Sequence, residues 1–268
     1  MEKNKYQFPS EEVSLPSKGL LYRENSPLKK GVVEMKYMTA REEDILTNPN
    51  LIENGTVIDK LLQSLIISEI KFNDLLVGDK NAILIASRIL GYGSDYTFSY
   101  NNEQINVSLS DIKDKVIDES LFKDGKNEFD YILPRSKTPI TFKFLTHGDE
   151  QKIRQEVKGL QKINKNSSAE LSTRMKHIVT SVEWNSAQKF IREFVDNRFL
   201  AIDARELRQH IKKIQPDVDL TYNYEDGKGN TKEILIPVGI NFFWPDVEIS
   251  KRCIHSDPRS SVPWRRWF

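Results

Sequence analysis

One order of predicted secondary-structure elements occurs twice in this chain, 124 positions apart. Residues 79–95 and residues 203–219 each begin with an aspartate at the start of a predicted helix and end at the start of a predicted strand. An aspartate at that position is favoured by the positive end of the helix dipole. The two segments indicate either two similar lobes or a helix-then-hairpin order that recurs without common ancestry.

Each of the two segments is followed by a predicted β-hairpin. The first reads D-Y-T-F-S-Y (95–100), a polar turn at 101–104 and I-N-V-S-L (105–109). The second reads D-L-T-Y-N-Y (219–224), the turn E-D-G-K-G-N (225–230) and I-L-I-P-V (234–238). Alternating apolar and polar residues on both sides of a turn-rich centre are typical of antiparallel hairpins.

The other predicted elements are mostly helices. Thr39 and Glu42 have the spacing of a capping box, which predicts a helix start at this point. Helical spacing of apolar residues predicts further helices over 56–67, 147–163, 169–182, 186–195 and 204–214. Strands are predicted at 32–38, 131–133 and 140–145. The fold class is therefore α+β, with two helix-rich lobes that each carry an antiparallel β-hairpin.

We expect the two lobes, residues 31–127 and 128–245, to lie between two extended arms. Residues 1–30 contain three prolines, which disfavour a helix, together with apolar side chains. Such a segment becomes ordered by lying along another surface, so Leu20, Leu21 and Tyr22 are predicted to contact a partner. Residues 246–268 contain two prolines and no helical period, and they are predicted to be a C-terminal docking arm.

Aromatic residues near the C-terminus are the other candidate docking residues. Phe242, Phe243 and Trp244 are consecutive, so either two are buried and one covers the sheet, or they anchor a partner. The final five residues are too few to form a core, and tryptophan and arginine are enriched at interface anchors. A disordered end is the alternative for this segment. These five residues are Trp264, Arg265, Arg266, Trp267 and Phe268.

Charge and cysteine content exclude several classes of protein. Forty Lys and Arg residues against 39 Asp and Glu residues give a formal net charge of +1. No net field therefore attracts the chain to nucleic acid or to an anionic membrane, and we expect neither as a partner. The chain lacks an apolar stretch of membrane-spanning length and an N-terminal signal pattern. Cys253, the one cysteine, cannot form an intramolecular disulfide, which fits a reducing cytoplasm.

No local motif indicates catalysis, a cofactor or a metal ion. The four histidines and Cys253 do not occur at metal-ligand spacings. Asp149 and Glu150 fit the first turn of a helix, where acidic residues are favoured without any catalytic role. The glycines of G-Y-G (91–93) and G-K-G (227–229) lack the spacing of a phosphate loop. We therefore expect no catalytic residues, no cofactor and no enzymatic activity.

Five separated segments resemble one known family, the baseplate hub assembly proteins of T-even-type, contractile-tailed bacteriophages. The segments are L-P-S-K-G-L-L-Y (15–22), M-T-A-R-E-E-D-I-L (38–46), D-K-N-A-I-L-I-A-S-R-I-L-G-Y-G (79–93), T-F-K-F-L-T-H-G-D-E (141–150) and I-P-V-G-I-N-F-F-W-P-D (236–246). The resemblance implies a non-enzymatic tail protein that forms, or is built into, the central hub of the baseplate. Its partners would be other tail and hub proteins in an oligomeric assembly. It would occur first in the host cytoplasm and then in the virion tail baseplate.

One feature of the hairpins departs from the family. Relatives in this family often carry a Cys-x-x-Cys knuckle at the hairpin tips, whereas the tips here, residues 101–103 and 225–230, contain no cysteine. A structural zinc ion is therefore not expected. The alternatives to a phage tail protein are an interaction module outside phage, or an enzyme whose catalytic residues meet only in the folded state.

Overall fold

A computed structural model describes residues 9–122, 125–163, 169–225, 229 and 231–243 of the chain. Within these residues the chain forms eight α-helices and small antiparallel sheets, so the predicted α+β class is confirmed. The predicted C-terminal arm, with Trp264, Arg265, Arg266, Trp267 and Phe268, lies outside the described residues, as does Trp244.

Strand pairing among the described residues is antiparallel throughout. The strands are β1 (Ser10–Ser14), β2 (Val32–Lys36), β3 (Asp95–Tyr100), β4 (Glu103–Ser108), β5 (Phe129–Ile132), β6 (Pro139–Phe142), β7 (Val179–Val182), β8 (Thr221–Glu225) and β9 (Thr231–Leu235). β1 pairs with β2, β3 with β4 and β8 with β9, while β6 lies between β5 and β7. Both predicted hairpins, β3–β4 and β8–β9, are confirmed. Asn101 and Asn102 connect β3 to β4 with φ angles of 50° and 66°, which asparagine tolerates well.

The helices are α1 (Ala40–Leu46), α2 (Pro49–Glu53), α3 (Val57–Leu65), α4 (Val77–Tyr92), α5 (His147–Ile163), α6 (Glu170–Ile178), α7 (Gln188–Asn197) and α8 (Ala201–Ile214). The predicted capping box of α1 is present, because the Glu42 carboxylate accepts hydrogen bonds from the Thr39 amide at 3.0 Å and the Thr39 hydroxyl at 2.6 Å. α5 begins and ends where the sequence predicts.

The helix predicted over residues 169–182 is wrong in its last four residues. α6 ends at Ile178, and the next four residues form β7, which pairs with β6. Val179 and Val182 become buried through this pairing. Since β-branched side chains pack well on a pleated surface, pairing with β6 prevails over continuation of the helix.

Residues 9–30 belong to the first lobe and do not form a separate arm. β1 pairs with β2, and the chain that follows β1 lies against the start of α4. There the buried Asp79 carboxylate accepts hydrogen bonds from the Ser17 amide at 2.9 Å, the Ser17 hydroxyl at 2.7 Å and the Tyr22 hydroxyl at 2.5 Å. Leu21 and Tyr22 are buried in the core of the chain itself, so their predicted role in docking is wrong; Leu20 is half-buried.

A lysine, a threonine and an acidic residue form the same network at the start of α1 and of α5. In each lobe the lysine forms an ion pair with the acidic residue, at 2.8 Å in the first lobe and 2.7 Å in the second. The same carboxylate accepts hydrogen bonds from the amide and hydroxyl of the threonine. The residues are Lys36, Thr39 and Glu42 in the first lobe and Lys143, Thr146 and Asp149 in the second. Asp149 therefore has a structural role, as its position in the sequence predicts.

A buried aspartate at the start of a helix is the second shared feature. Asp79 holds the Ser17 amide beside α4, and Asp203 accepts hydrogen bonds from the Arg135 and Ser136 amides beside α8, at 2.7 and 3.0 Å. In both lobes the contacted amides lie in the connection between two paired strands, which is long between β1 and β2 and short between β5 and β6. Together with the shared network above, this favours two similar lobes over a chance recurrence of elements.

The lobes contact each other through aromatic side chains of the two predicted hairpins. Phe98 on β3 faces Tyr222 on β8, with ring centroids 6.5 Å apart, and Tyr100 faces Tyr224 at 5.1 Å. Each pair joins residues 124 positions apart, which are equivalent in the sequence repeat. The hairpins are therefore related by an approximate twofold arrangement.

A second contact between the lobes joins residues 75–77 to residues 145–147, and we call it the lobe joint. Leu76 and Thr146 form an antiparallel bridge. The Val77 amide donates to the Leu145 carbonyl at 3.1 Å, and the His147 amide donates to the Leu75 carbonyl at 2.7 Å. The joint is closely packed, since Leu75 is 0% and Leu76 4% exposed.

Candidate docking site

Two aromatic residues proposed for docking are buried within the chain. Phe242 and Phe243 are 1% and 0% exposed, and Phe242 packs edge-on against Tyr96 with ring centroids 4.8 Å apart. The buried Arg88 guanidinium donates from Nε to the Phe242 carbonyl at 2.9 Å. Phe242 and Phe243 thus fix the end of the second lobe onto α4, and their predicted role in docking is wrong.

Trp184 is the most prominent exposed aromatic residue among those the structure describes. Its side chain is 87% exposed, at the tip of a two-residue turn between Val182 and Asn185. The turn is closed by backbone hydrogen bonds in both directions between Val182 and Asn185, at 3.0 and 2.9 Å. Glu183 and Trp184 have φ angles of 50° and 62°. Positive φ at both central residues defines a type I′ turn, in which Asn-Gly is the preferred pair.

The Trp184 turn extends an exposed apolar row across the three-stranded sheet. Ile132 on β5 pairs with Pro139 on β6, and the Glu183 amide donates to the Pro139 carbonyl at 2.9 Å. Ile132 is 65% exposed and Pro139 is half-buried. We call Ile132, Pro139 and Trp184 the turn patch. Apolar residues therefore lie at the same end of all three hydrogen-bonded strands, and two of them, Ile132 and Trp184, are exposed to solvent.

Trp184 combines a strained backbone with an exposed side chain, so its conformation is not explained by burial in the core. A left-handed conformation costs a residue other than glycine roughly 1 kcal/mol or more, and an exposed tryptophan gains little burial energy in return. Strained residues cluster at functional sites, and tryptophan is among the residues enriched at interface anchors. Sequence reasoning missed Trp184 because one aromatic in a short loop has no periodic pattern. The signal available was the strand-forming run V-T-S-V directly before it.

A buried polar cluster lies at the lobe joint, around His147. Lys80 Nζ is 3.1 Å from His147 Nδ1 and 2.5 Å from Asp59 Oδ1. Because a lysine ammonium can only donate, His147 Nδ1 accepts and the ring proton lies on Nε2. Nε2 lies 2.8 Å from the Gln151 side-chain amide, whose oxygen is the atom that can accept the Nε2 proton, and 3.6 Å from Asp59 Oδ2. Burial and the Lys80 charge lower the pKa of His147 to about 4.

The His147 cluster does not form the geometry of a catalytic pair. A general base must be able to reach substrate, whereas His147 is 1% exposed and both of its ring nitrogens have partners within the chain. A polar cleft of about 330 Å³ lies beside it, lined in part by Asn73, Thr146 and Gln151. The cleft also contains Asp149, whose carboxylate is held by Lys143 and Thr146.

Metal-site and membrane-span criteria give no candidate in the described part of the chain. Among these residues, no group of three or more His, Cys, Asp or Glu side chains is arranged to hold a metal ion. No described helix combines the length and the apolar character needed to cross a bilayer.

Comparisons with known protein families, with curated proteins and with solved structures find nothing that matches this chain. The turn patch is the strongest candidate site in the described residues.

Proposed function

We propose that this chain is a non-enzymatic tail protein of a contractile-tailed bacteriophage, a component or assembly factor of the baseplate central hub, that acts by docking onto other tail proteins. It would act in the host cytoplasm during assembly and in the virion tail baseplate. The observation that carries the docking function is Trp184, held 87% exposed in a strained turn. The assignment to a phage baseplate is supported by the five segments that resemble the hub assembly family.

The residues that could dock onto a partner differ between the sequence prediction and the structure. Leu21, Tyr22, Phe242 and Phe243 are internal, so they cannot provide the first contact with a partner. The turn patch takes their place, because Ile132 and Trp184 are exposed at one end of a sheet whose three strands are hydrogen-bonded to one another. Preorganised aromatic anchors bind with a smaller loss of conformational entropy than flexible segments do.

The substitution Trp184→Gly tests the docking function without weakening the fold. Glycine adopts a positive φ without steric strain, so we expect the free energy of unfolding to rise by about 0.5–1 kcal/mol. Capture of tail proteins from phage-infected cells, by tagged protein and mass spectrometry, should fall at least tenfold. Ile163→Ala is the matched control, since Ile163 is 86% exposed at the end of α5, outside the turn patch. Its capture should equal that of the wild type.

The identity of the captured proteins decides between the proposed function and its alternatives. Baseplate or tail proteins captured by the wild type, and lost with Trp184→Gly, would support the proposal. Capture of proteins unrelated to phage tails would favour an interaction module outside phage. If Trp184→Gly captures the same tail proteins at wild-type levels, the turn patch is not the docking site.

A further inference from the structure

A cleft of about 360 Å³ lies between the two hairpins, and we call it the hairpin cleft. Its apolar lining comes from β4, from β8 and from the chain directly after each hairpin. These residues are Val107, Ile112, Tyr222 and Ile236. Ile236 is buried, and the other three are half-buried. The hairpin cleft therefore presents an apolar surface that is partly open to solvent.

The hairpin cleft lies where an aromatic row of the first lobe is interrupted in the second. In the first lobe, Tyr96 stacks on Phe98 with ring centroids 5.8 Å apart, and Phe242 packs edge-on against Tyr96 at 4.8 Å. In the second lobe, Tyr222 corresponds to Phe98, because the two residues lie 124 positions apart and face each other. Leu220 corresponds to Tyr96 in the same repeat, so the described row ends at Tyr222, beside the cleft.

The chain that leaves each hairpin crosses to the other lobe, but only one crossing brings an aromatic residue. After β9, the Pro237 carbonyl accepts a hydrogen bond from the Tyr96 hydroxyl at 2.9 Å, and Phe242 follows. After β4, residues 113–115 pair with residues 217–219 through two backbone hydrogen bonds of 2.8 Å. Residues 101–121 contain no aromatic residue. A ring equivalent to that of Phe242 must therefore come from another segment.

Charged residues give the rim of the hairpin cleft a net negative charge. Asp111, Lys113 and Asp219 are exposed and line the cleft, which leaves one negative charge in excess. The next two residues after Lys113 are Asp114 and Lys115, whose charges cancel. The rim and the apolar lining together suit a ligand that is both aromatic and positively charged.

One segment of the chain, residues 264–268, has both properties. It contains three aromatic residues and two arginines within five positions. The Thr221 amide and hydroxyl both donate to Asp219 Oδ1, at 3.2 and 2.7 Å, and Oδ2 forms no hydrogen bond among the described residues. An arginine can therefore pair with Asp219, since its planar guanidinium donates well to a carboxylate.

The length of the chain allows residues 264–268 to reach the hairpin cleft of their own molecule. Residues 244–263 connect this segment to Phe243, and these twenty positions span up to roughly 66 Å when fully extended. A folded chain of 268 residues has a radius of gyration of roughly 18 Å. A tethered segment also has an effective concentration of about 1 mM, far above that of a second copy in dilute solution.

We propose that residues 264–268 bind in the hairpin cleft of the same molecule, where an aromatic side chain continues the row from Tyr222 and an arginine pairs with Asp219. The contact gives the second lobe the aromatic neighbour that Phe242 gives the first. It assigns residues 264–268 to the fold of the chain itself, whereas the sequence predicts that they dock onto a partner. The inference does not rest on the proposed function, because the turn patch lies on the three-stranded sheet.

A photoreactive residue at position 268 tests where the segment binds. In the full-length chain, Phe268 is replaced by p-benzoylphenylalanine, which keeps an aromatic ring and reacts with neighbouring C–H groups on irradiation. We expect a product with the mass of one chain, in which mass spectrometry finds position 268 joined to residues 106–113 or 219–222. The same group at Ile163, which is 86% exposed at the end of α5, is the matched control and should not give this product.

Two variants test the chemistry of the contact. Leu220→Tyr introduces the residue that the first lobe has at this position, so its ring should occupy the place beside Tyr222 and reduce the product to the level of the Ile163 control. Arg265→Asp combined with Arg266→Asp should reduce the product about tenfold, because like charges then meet at the rim. Circular dichroism shows whether each variant is folded. The arginine variant lies outside the described fold, so it provides the test if Leu220→Tyr does not fold.

Several outcomes would overturn the proposal. A cross-linked dimer would mean that the hairpin cleft takes this segment from a second copy. Products that join position 268 to other surfaces, or a yield no higher than that of the Ile163 control, would mean that the segment does not bind in the cleft. A folded variant of either kind that leaves the yield unchanged would contradict the aromatic or the charged part of the contact.

Discussion

Single buried carboxylates determine how distant segments of this chain meet. Asp79 is fully buried and holds the Ser17 amide and hydroxyl together with the Tyr22 hydroxyl. Tyr22 in turn accepts a hydrogen bond from the Leu76 amide at 2.9 Å, directly before α4. Burial and the Asp79 charge raise the pKa of Tyr22, so the phenol remains protonated and able to donate. Tyr22 therefore ties the N-terminal segment both to α4 and to the lobe joint.

The substitution Tyr22→Phe should lower the free energy of unfolding by about 2 kcal/mol, because it removes a donor to Asp79 and leaves the Leu76 amide without its acceptor. Urea denaturation followed by circular dichroism measures this change. Tyr37→Phe is the matched control, since the Tyr37 hydroxyl contacts Glu11 at the surface. Its effect should stay within about 0.5 kcal/mol. Equal effects of the two substitutions would contradict the role given to Tyr22.

At the scale of elements, the start of α1 depends on one carboxylate. Glu42 is buried, which by itself disfavours its charged form. Hydrogen bonds from Lys36, Thr39 and Ser64 outweigh the burial and lower the pKa of Glu42 to about 2. The ordinary value for glutamate is 4.5. Glu42 thus stabilises the fold fully above about pH 4.5 and loses this contribution as the pH falls through its folded pKa of about 2.

The substitution Glu42→Gln should remove the contribution of Glu42 to the pH dependence of the free energy of unfolding. Between pH 5 and pH 2 the wild type should lose roughly 3 kcal/mol more of its free energy of unfolding than the variant, from a pKa difference of about 2.5 units at 1.36 kcal/mol each. At pH 7 the variant should be the less stable protein. Urea denaturation at a series of pH values measures both effects. Parallel curves for the two proteins would mean that Glu42 titrates alike in the folded and unfolded states.

Local patterns predicted the elements, and long-range contacts decided how they meet. The Thr39 capping box, the bounds of α5 and the strand β3 could be predicted because each depends on residues that are near in sequence. The burial of Tyr22 could not, since its partner Asp79 lies 57 residues away. A proline-rich apolar segment predicts docking, but not whether the surface it contacts belongs to a partner or to the same chain.

The candidate site was the least predictable part of the chain. Trp184 is prominent only because Glu183 and Trp184 adopt positive φ beside a three-stranded sheet, and β7 itself depends on pairing with β6. By contrast, the repeat was visible in the sequence through Asp79 and Asp203. What the sequence alone could not supply was the shared hydrogen-bond network that identifies equivalent positions in the two lobes.

At the scale of the whole molecule, the contact between the two lobes contains a buried, uncharged histidine. His147 lies in the lobe joint beside Lys80, and protonation would place two cations 3.1 Å apart in a buried site. The folded pKa of His147 is about 4, against an ordinary value of 6.5. The unfolded chain therefore binds a proton at this residue before the folded chain does. Stability from His147 is complete above about pH 6.5 and is lost progressively as the pH falls to about 4.

His147→Gln should flatten the stability curve between pH 6.5 and pH 4. Over this range the wild type should lose roughly 3 kcal/mol of its free energy of unfolding through His147 alone, because the pKa difference is about 2.5 units. Urea denaturation at each pH provides the measurement, and the variant serves as its own reference at pH 7. Glu42→Gln is the matched control, because Glu42 affects stability mainly below pH 4.5. The Glu42→Gln protein should therefore lose free energy of unfolding between pH 6.5 and pH 4.5 as the wild type does. If His147→Gln retains the wild-type slope, His147 takes up its proton over the same pH range in the folded and unfolded chains, and burial beside Lys80 does not lower its pKa.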